Sequence, residues 1–294
     1  MVRLSIIRHA PEKDPSRRPD FVLLHGLASN ARMWDGVGAA LARAGFASIA
    51  VDLRGHGQSP KPPVEDGYGF ADVVADVLEL LEAEGLTGEH RPTVVGQSWG
   101  GNLVIELGAM YPESVRAVMA VDGGVIRLVD RFPIWEDCAT TLAPPELIGT
   151  PAERMRAWMI AAHADWPAEG IEGSLANFER RPDGTIAPWL TRDRHLAVLR
   201  GLWEHNPVER FALLRLPTTI ALADSGETSW TKDKRAGVSA CVDASPVPIE
   251  VEWFVGADHD LHAQYPVETA ESLVRLHERA QSASPFVPIS VHPS

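Results

Sequence analysis

Between Thr93 and Met110 the chain leaves a run of three β-branched residues, Thr93-Val-Val95, and turns through Gly96-Gln97-Ser98-Trp99-Gly100. It then enters a helical pattern that stops before Tyr111-Pro112. A G-x-S-x-G pentad alone is a weak signal. Between a strand and a helix it predicts a sharp turn that lifts a serine hydroxyl above a sheet, with glycines because a Cβ beside so tight a bend would strike neighbouring backbone. Ser98 is therefore the candidate nucleophile, and the chain around it must build an α/β layer structure.

The flanking sequence repeats that alternation. Phe21-Val-Leu-Leu24 reads as a buried strand ending at His25-Gly26, and Trp34 to Ala44 as a helix stopped by Gly45. Phe46 to Val51 is strand-like, and Asp72 to Glu84 places Val73, Val77, Leu80 and Leu81 on one helical face. Val115 to Val121 is again a strand pattern. The prediction is an α/β fold with a mostly parallel central sheet covered on both faces by helices.

After Gly123-Gly124 the rhythm changes, and about 90 residues up to Leu216 hold no long β run. This segment carries Trp135, Trp158, Trp166, Trp189 and Trp203, five of the nine tryptophans, as a mainly helical cap over a pocket would. Trp135, Trp158, Trp189 and Trp203, with His25, are the candidate pocket residues; the same tryptophans would also serve simply to hold the cap on the core. Arg127, Arg131, His163, His195 and His205 are available to place polar groups there or to pack the segment. Alternation resumes at Thr218 to Leu222 and Ile249 to Val255, with a helix from Pro266 to about Arg279. The expected organisation is a core of residues 1–124 and 215–282, a cap insertion at 125–214, and a Ser- and Pro-rich tail at 283–294.

Composition narrows the partners. The 294 residues carry a formal charge of -13, which repels a nucleic-acid backbone, and the basic clusters are no longer than Arg17-Arg18 and Lys232-Asp-Lys-Arg235. Cys138 and Cys241 are too few for a disulfide framework and fit a reducing compartment. The apolar run Leu4 to Ile7 is too short for a signal-peptide core and nothing approaches a membrane span, so a cytoplasmic location without membrane association is expected. The sequence does not indicate an oligomeric state.

Several segments together resemble the α/β-hydrolase superfamily, from about Phe21 to Glu278. Besides the serine turn, His25-Gly26-Leu27 resembles the loop after the third strand that supplies half of an oxyanion hole, and Asp52-Leu-Arg-Gly-His-Gly-Gln-Ser59 resembles the family's D-x-R-G-x-G-x-S segment. The resemblance implies oxyanion donors at the amides of Leu27 and Trp99, and a structural role for His56. The Trp99 amide also stands at the head of a helix whose dipole favours an anion.

A serine hydroxyl is a weak nucleophile until an imidazole takes its proton, so a late histidine is required. Gly256-Ala-Asp-His259 resembles the family's histidine loop, with His259 seven residues before the proline that opens the last helix, Pro266. His262 is the competitor. Acidic neighbours Asp258 and Asp260 raise a metal site as an idea, but the spacing matches no ligand motif and no metal is expected. The acid stays open: Asp122, at the end of the strand after the serine, matches the position seen in haloalkane dehalogenases and zearalenone lactonases. Asp224 and Glu227 lie near the commoner position after the next strand.

With Ser rather than Asp at the turn, the alkyl-ester chemistry of dehalogenases and epoxide hydrolases is disfavoured. A cofactor-free serine esterase or lactonase acting on a small-molecule ester or lactone is the leading reading. A ligand receptor that keeps the scaffold with slow or absent turnover is a second, and a cofactor-free lyase or oxygenase a third.

Overall fold

The computed structural model describes residues 2–282 of the chain, so the tail expected at 283–294 lies outside the described residues. The strands are β1 (Ser5–His9), β2 (Phe21–Leu24), β3 (Ser48–Asp52), β4 (Thr93–Gln97), β5 (Ala117–Val121), β6 (Phe178–Arg180), β7 (Ile186–Pro188), β8 (Thr218–Asp224) and β9 (Ile249–Val255). Seven of them form one sheet in the order β1-β3-β2-β4-β5-β8-β9. All its pairings are parallel except the antiparallel edge strand β1 on β3. This is the α/β sheet that the strand–helix alternation predicts.

The helices are α1 (Asp35–Arg43), α2 (Phe70–Ala83), α3 (Trp99–Met110), α4 (Leu128–Arg131), α5 (Trp135–Thr141), α6 (Ala152–Ala162), α7 (Ala168–Leu175), α8 (Arg192–Glu204), α9 (Pro207–Phe211), α10 (Ser229–Ala244), α11 (Leu261–Gln264) and α12 (Pro266–Ser282). The period-two alternation of the strands splits the core into two layers. Val22, Leu24, Val94 and Val118 point to the side of α2 and α3, where they meet Val73, Val77, Leu103 and Leu107. Phe21, Leu23, Val95 and Met119 point the other way, onto Val37 and Leu41 of α1 and Leu273 and Leu276 of α12. Strands covered on both faces have no polar side to show, which is why β2, β4 and β5 read as continuous apolar runs.

The stretch between β5 and β8 adds no strand to this sheet. It holds α4 to α9 and the small antiparallel pair β6–β7. Asn102 of α3 fastens its beginning: the side-chain amide donates to Ile126 O at 2.8 Å, and its oxygen accepts from Gly124 N at 2.9 Å.

The loop after β3 is held from within. Asp52 accepts from the amides of Ala31 and Gln58, both at 2.8 Å. Arg54 makes a two-point contact with Asp76 of α2 at 2.5 and 2.7 Å and donates to Gly67 O, with both ionic side chains almost fully buried. His56 bonds Arg54 O and stacks on Trp99 at 5.7 Å between ring centres.

Candidate active site

The turn from β4 into α3 leaves Ser98 at φ 54°, a left-handed backbone that non-glycine residues rarely adopt. Ser98 N–H donates to Val121 O of the neighbouring strand β5 at 2.9 Å, tying the turn to the sheet. A Cβ on Gly96 would run into the Gly100 carbonyl, and one on Gly123 into the backbone of Ser98. The glycines are thus where chain passes against chain, and the pentad is explained by contact rather than by flexibility alone.

His259 Nε2 lies 2.9 Å from Ser98 Oγ, and His259 Nδ1 lies 2.6 Å from Asp122 Oδ2. An ionised carboxylate only accepts, so Nδ1 carries the proton and Nε2 is free to accept the serine's hydrogen. The three residues come from the ends of β4 and β5 and from the loop after β9. The histidine side chain is 55% exposed and Asp122 is 2% exposed, so the relay is open to a solute at one end and sealed at the other.

Of the acids left open by sequence, Asp122 is the one brought to the histidine. It stands at φ 41°, and its Oδ1 accepts from Ala223 N at 2.9 Å and from Lys234 Nζ at 2.5 Å. Asp224 instead faces outward and pairs with Arg235, which also binds Glu227. His262 lies buried on α11 against Trp34, with neither ring nitrogen bonded among the described residues and its pKa lowered to about 3 by burial, so it is held neutral in apolar packing. Lys234 was not singled out by sequence beyond its place in a short basic cluster.

Burial of Asp122 works against its charge, but the hydrogen bond and charge of His259, together with Lys234, outweigh it and hold the carboxyl below its usual range. Desolvation likewise lowers His259, and is outweighed by the hydrogen bond to Asp122 and the charges of Asp260 and Asp122, so the imidazole is pushed above its ordinary value. A base strengthened in this way is easier to protonate and a better acceptor for a hydroxyl proton.

Both residues named as oxyanion donors are chain neighbours of the serine turn: one follows Ser98, the other follows a glycine packed against it. Trp99 opens α3 directly after Ser98, at a position whose N–H has no intrahelical acceptor. Leu27 follows Gly26, where an added Cβ would sit 3.1 Å from the Cβ of Ser98.

The residues expected to line a pocket have the following partners. His25 is fully buried, its Nδ1 donating to Gly26 O at 2.7 Å and its Nε2 accepting from Leu53 N at 3.0 Å. It therefore braces the loop instead of facing a ligand, with a pKa lowered to about 4 by burial. Trp135 and Trp203 pack edge to face at 6.0 Å against the main core, and Trp203 Nε1 donates to Phe132 O. Trp189 lies under Lys61, and Trp158 is half exposed beneath Arg154.

Trp166 and His163 are the insertion's aromatic pair nearest the histidine loop. Trp166 Nε1 donates to Asp258 at 3.3 Å, and the two rings pack at 3.9 Å. Asp165 beside them accepts from Gln264 at 2.5 Å. The remaining polar candidates are engaged locally: Arg127 with Asp130, Arg131 with Asp233, His195 with Leu142 O, and His205 with Glu106.

Among the described residues no cluster of three His, Cys, Asp or Glu is arranged to hold a metal, and no helix is long and apolar enough to cross a membrane. Both cysteines are buried and unpaired.

A sheet of this order, with a serine turn after β4 and a histidine loop after β9, is the α/β-hydrolase fold. A family model for the alpha/beta hydrolase fold matches residues 19–145, and the chain has that fold. A solved E-2-(acetamidomethylene)succinate hydrolase superposes with a TM-score of 0.76 at 22% identity, covering 94% of this chain and 96% of that one. A solved structure from work on carboxylesterases of Nitrososphaera gargenis superposes with a TM-score of 0.70 at 17% identity, covering 95% and 96%; at such identities the likeness is one of fold. In sequence, an uncharacterised protein of Mycobacterium tuberculosis is 37% identical over 114 residues, 38% of this chain and 31% of that protein. Bifunctional epoxide hydrolase 2 of Sus scrofa is 36% identical over 104 residues, 35% of this chain and 18% of that protein. The matches thus span less than a third of the length of these curated relatives.

Proposed function

We propose that this protein is a serine hydrolase that cleaves a carboxylic ester or lactone through an acyl-enzyme on Ser98. The reading rests on one observation: the continuous relay of Ser98 Oγ to His259 Nε2 at 2.9 Å and His259 Nδ1 to Asp122 Oδ2 at 2.6 Å. His259 takes the hydroxyl proton as Ser98 attacks the carbonyl carbon, and the amides of Leu27 and Trp99 hold the tetrahedral oxyanion. Such a donor is worth roughly a hundred- to a thousandfold in turnover. The imidazolium then gives its proton to the departing alkoxide, and in the second half a water, deprotonated by His259, attacks the acyl carbon and frees Ser98. No cofactor enters these steps.

The epoxide hydrolases among the relatives do not redirect this proposal, because the turn here carries a serine hydroxyl where alkyl-ester chemistry needs a carboxylate. The segment between β5 and β8 acts in this reading as a cap, and its contact with the histidine loop through Trp166 and Asp165 supports that placement. The test is labelling with a fluorophosphonate followed by peptide mass analysis, then a panel of p-nitrophenyl esters and lactones. Label on Ser98, lost in Ser98→Ala, with turnover of an ester or lactone is the expected result. Absence of label from the folded wild type, together with saturable ligand binding and no turnover, would overturn it in favour of a receptor on this scaffold.

A further inference from the structure

Asp122 is bound from two sides. One oxygen receives His259, and the other receives Lys234 Nζ at 2.5 Å and the amide of Ala223 at 2.9 Å. The same ammonium donates to Ala223 O at 2.7 Å, so Lys234 of α10 is clamped to the end of β8 and has little freedom to leave the carboxylate. Its side chain is 19% exposed against 2% for Asp122, which places a cation behind the acid in a mostly dry setting where charges act strongly.

A cation there does two opposing things. Its bond to Asp122 Oδ1, anchored by the second bond to Ala223 O, helps hold the carboxylate in place, and through it the imidazole. Its charge cancels part of the field that Asp122 exerts on His259. We propose that Lys234 is a positioning residue that sets the basicity of the catalytic histidine by partly neutralising Asp122. This inference rests on the reading of Ser98, His259 and Asp122 as a working triad.

The other charged or titratable groups around His259 stay in place when Lys234 is changed. They are Asp260, beside it in the loop, and Asp258 and His163, which act next to Asp260. His262, behind the loop, is buried and neutral. On its own helix Lys234 is followed by Arg235, which is occupied by Asp224 and Glu227, and preceded by Asp233, which is occupied by Arg131. Loss of the Lys234 charge therefore leaves Asp122 acting on His259 undiminished, and the imidazolium becomes more favourable. A unit charge this close is worth about one pH unit at a partly solvated site.

The experiment compares wild type, Lys234→Met, Lys234→Gln and Lys234→Arg by NMR titration of labelled histidines. In parallel it follows the rate of Ser98 labelling by a fluorophosphonate from pH 5 to 9. In Lys234→Met the His259 titration and the acidic limb of labelling are expected to move up by about one unit, with roughly tenfold slower labelling at pH 6. Lys234→Arg, which keeps the cation, should stay near wild type. Lys234→Gln, which keeps a donor without the charge, should follow Lys234→Met and serves in its place if the methionine variant does not fold. An unmoved His259 titration in a folded Met or Gln variant overturns the inference even where labelling proceeds normally. Failure of Ser98 to label in wild type, with the titration shifted as stated, would count against the triad reading and leave the Lys234 coupling standing.

Discussion

His259 Nδ1 and Asp122 Oδ2 lie 2.6 Å apart across 137 positions of sequence. Between an ionised acid and an imidazole this is a short charge-assisted bond, and it fixes both the tautomer and the direction of the ring. Asp224, the acid that sequence could not exclude, is tied to Arg235 instead.

Replacing Asp122 by Asn should therefore keep the fold and lower turnover by about ten-thousandfold, because an amide can present N–H where the ring needs an acceptor. Asp224→Asn should leave turnover close to wild type. Steady-state kinetics on the two variants decides it, and equal losses would remove Asp122 from its proposed role.

The raised basicity of His259 fixes the sign of the pH dependence. The base must be neutral to accept the Ser98 proton, so activity rises with pH along a limb centred above the ordinary histidine value of about 6.5. Asp122, held below its usual range, stays ionised throughout. A kcat/KM profile already flat at pH 6 under chemistry-limited conditions would contradict this.

His262 offers a contrasting test. Its ring is fully buried, packs at a tilt against Trp34 at 4.3 Å between centres, and has no hydrogen-bond partner at either nitrogen among the described residues. Folding lowers its pKa to about 3, so the unfolded chain binds the extra proton between that value and about 6.5. Stability from this residue is present above that window and is lost as pH falls through it. His262→Phe should keep activity, leave stability equal or higher by about 1 kcal/mol at pH 7, and lessen the loss at pH 5. Thermal melts at both pH values read the effect, and lost Ser98 labelling in a folded variant would be the contrary result.

The Arg54–Asp76 contact is the buried ionic pair with most at stake. Asp76→Ala strands a guanidinium in the core and should cost about 3 to 5 kcal/mol in chemical denaturation, while the double change Arg54→Met with Asp76→Leu should cost much less. Equal losses in the single and double variants would mean that packing, not charge, sets the penalty.

The residues most easily read from sequence were those whose surroundings are local. β2, β4 and β5 are contiguous apolar runs because helices cover both faces, and β9 runs from Ile249 to Val255 as expected. β1 escaped notice because Ser5-Ile-Ile-Arg8-His9 is a half-covered edge strand with charged positions. α10 was missed because only Thr231 and Cys241 are buried along it, so it carries almost no amphipathic stripe, and Lys234 was missed with it. The acid stayed open for a different reason. Asp122 and Asp224 both end strands, and only the packing of α10 and the histidine loop makes one of them inward-facing. The tryptophans stay open in sequence because a large ring in an insertion serves as well to anchor it to the core, where Trp135 and Trp203 pack, as to line a cavity.

Because Ser98 and Asp122 end neighbouring strands on either side of α3, while the base arrives only after β9, the site is assembled in two instalments during synthesis. At about 5 to 20 residues per second, the stretch from Asp122 to His259 occupies the ribosome for on the order of ten seconds. Through that interval the nascent chain carries Ser98 without His259 beside it, so in the proposed reading hydrolytic competence begins only when the C-terminal third has docked.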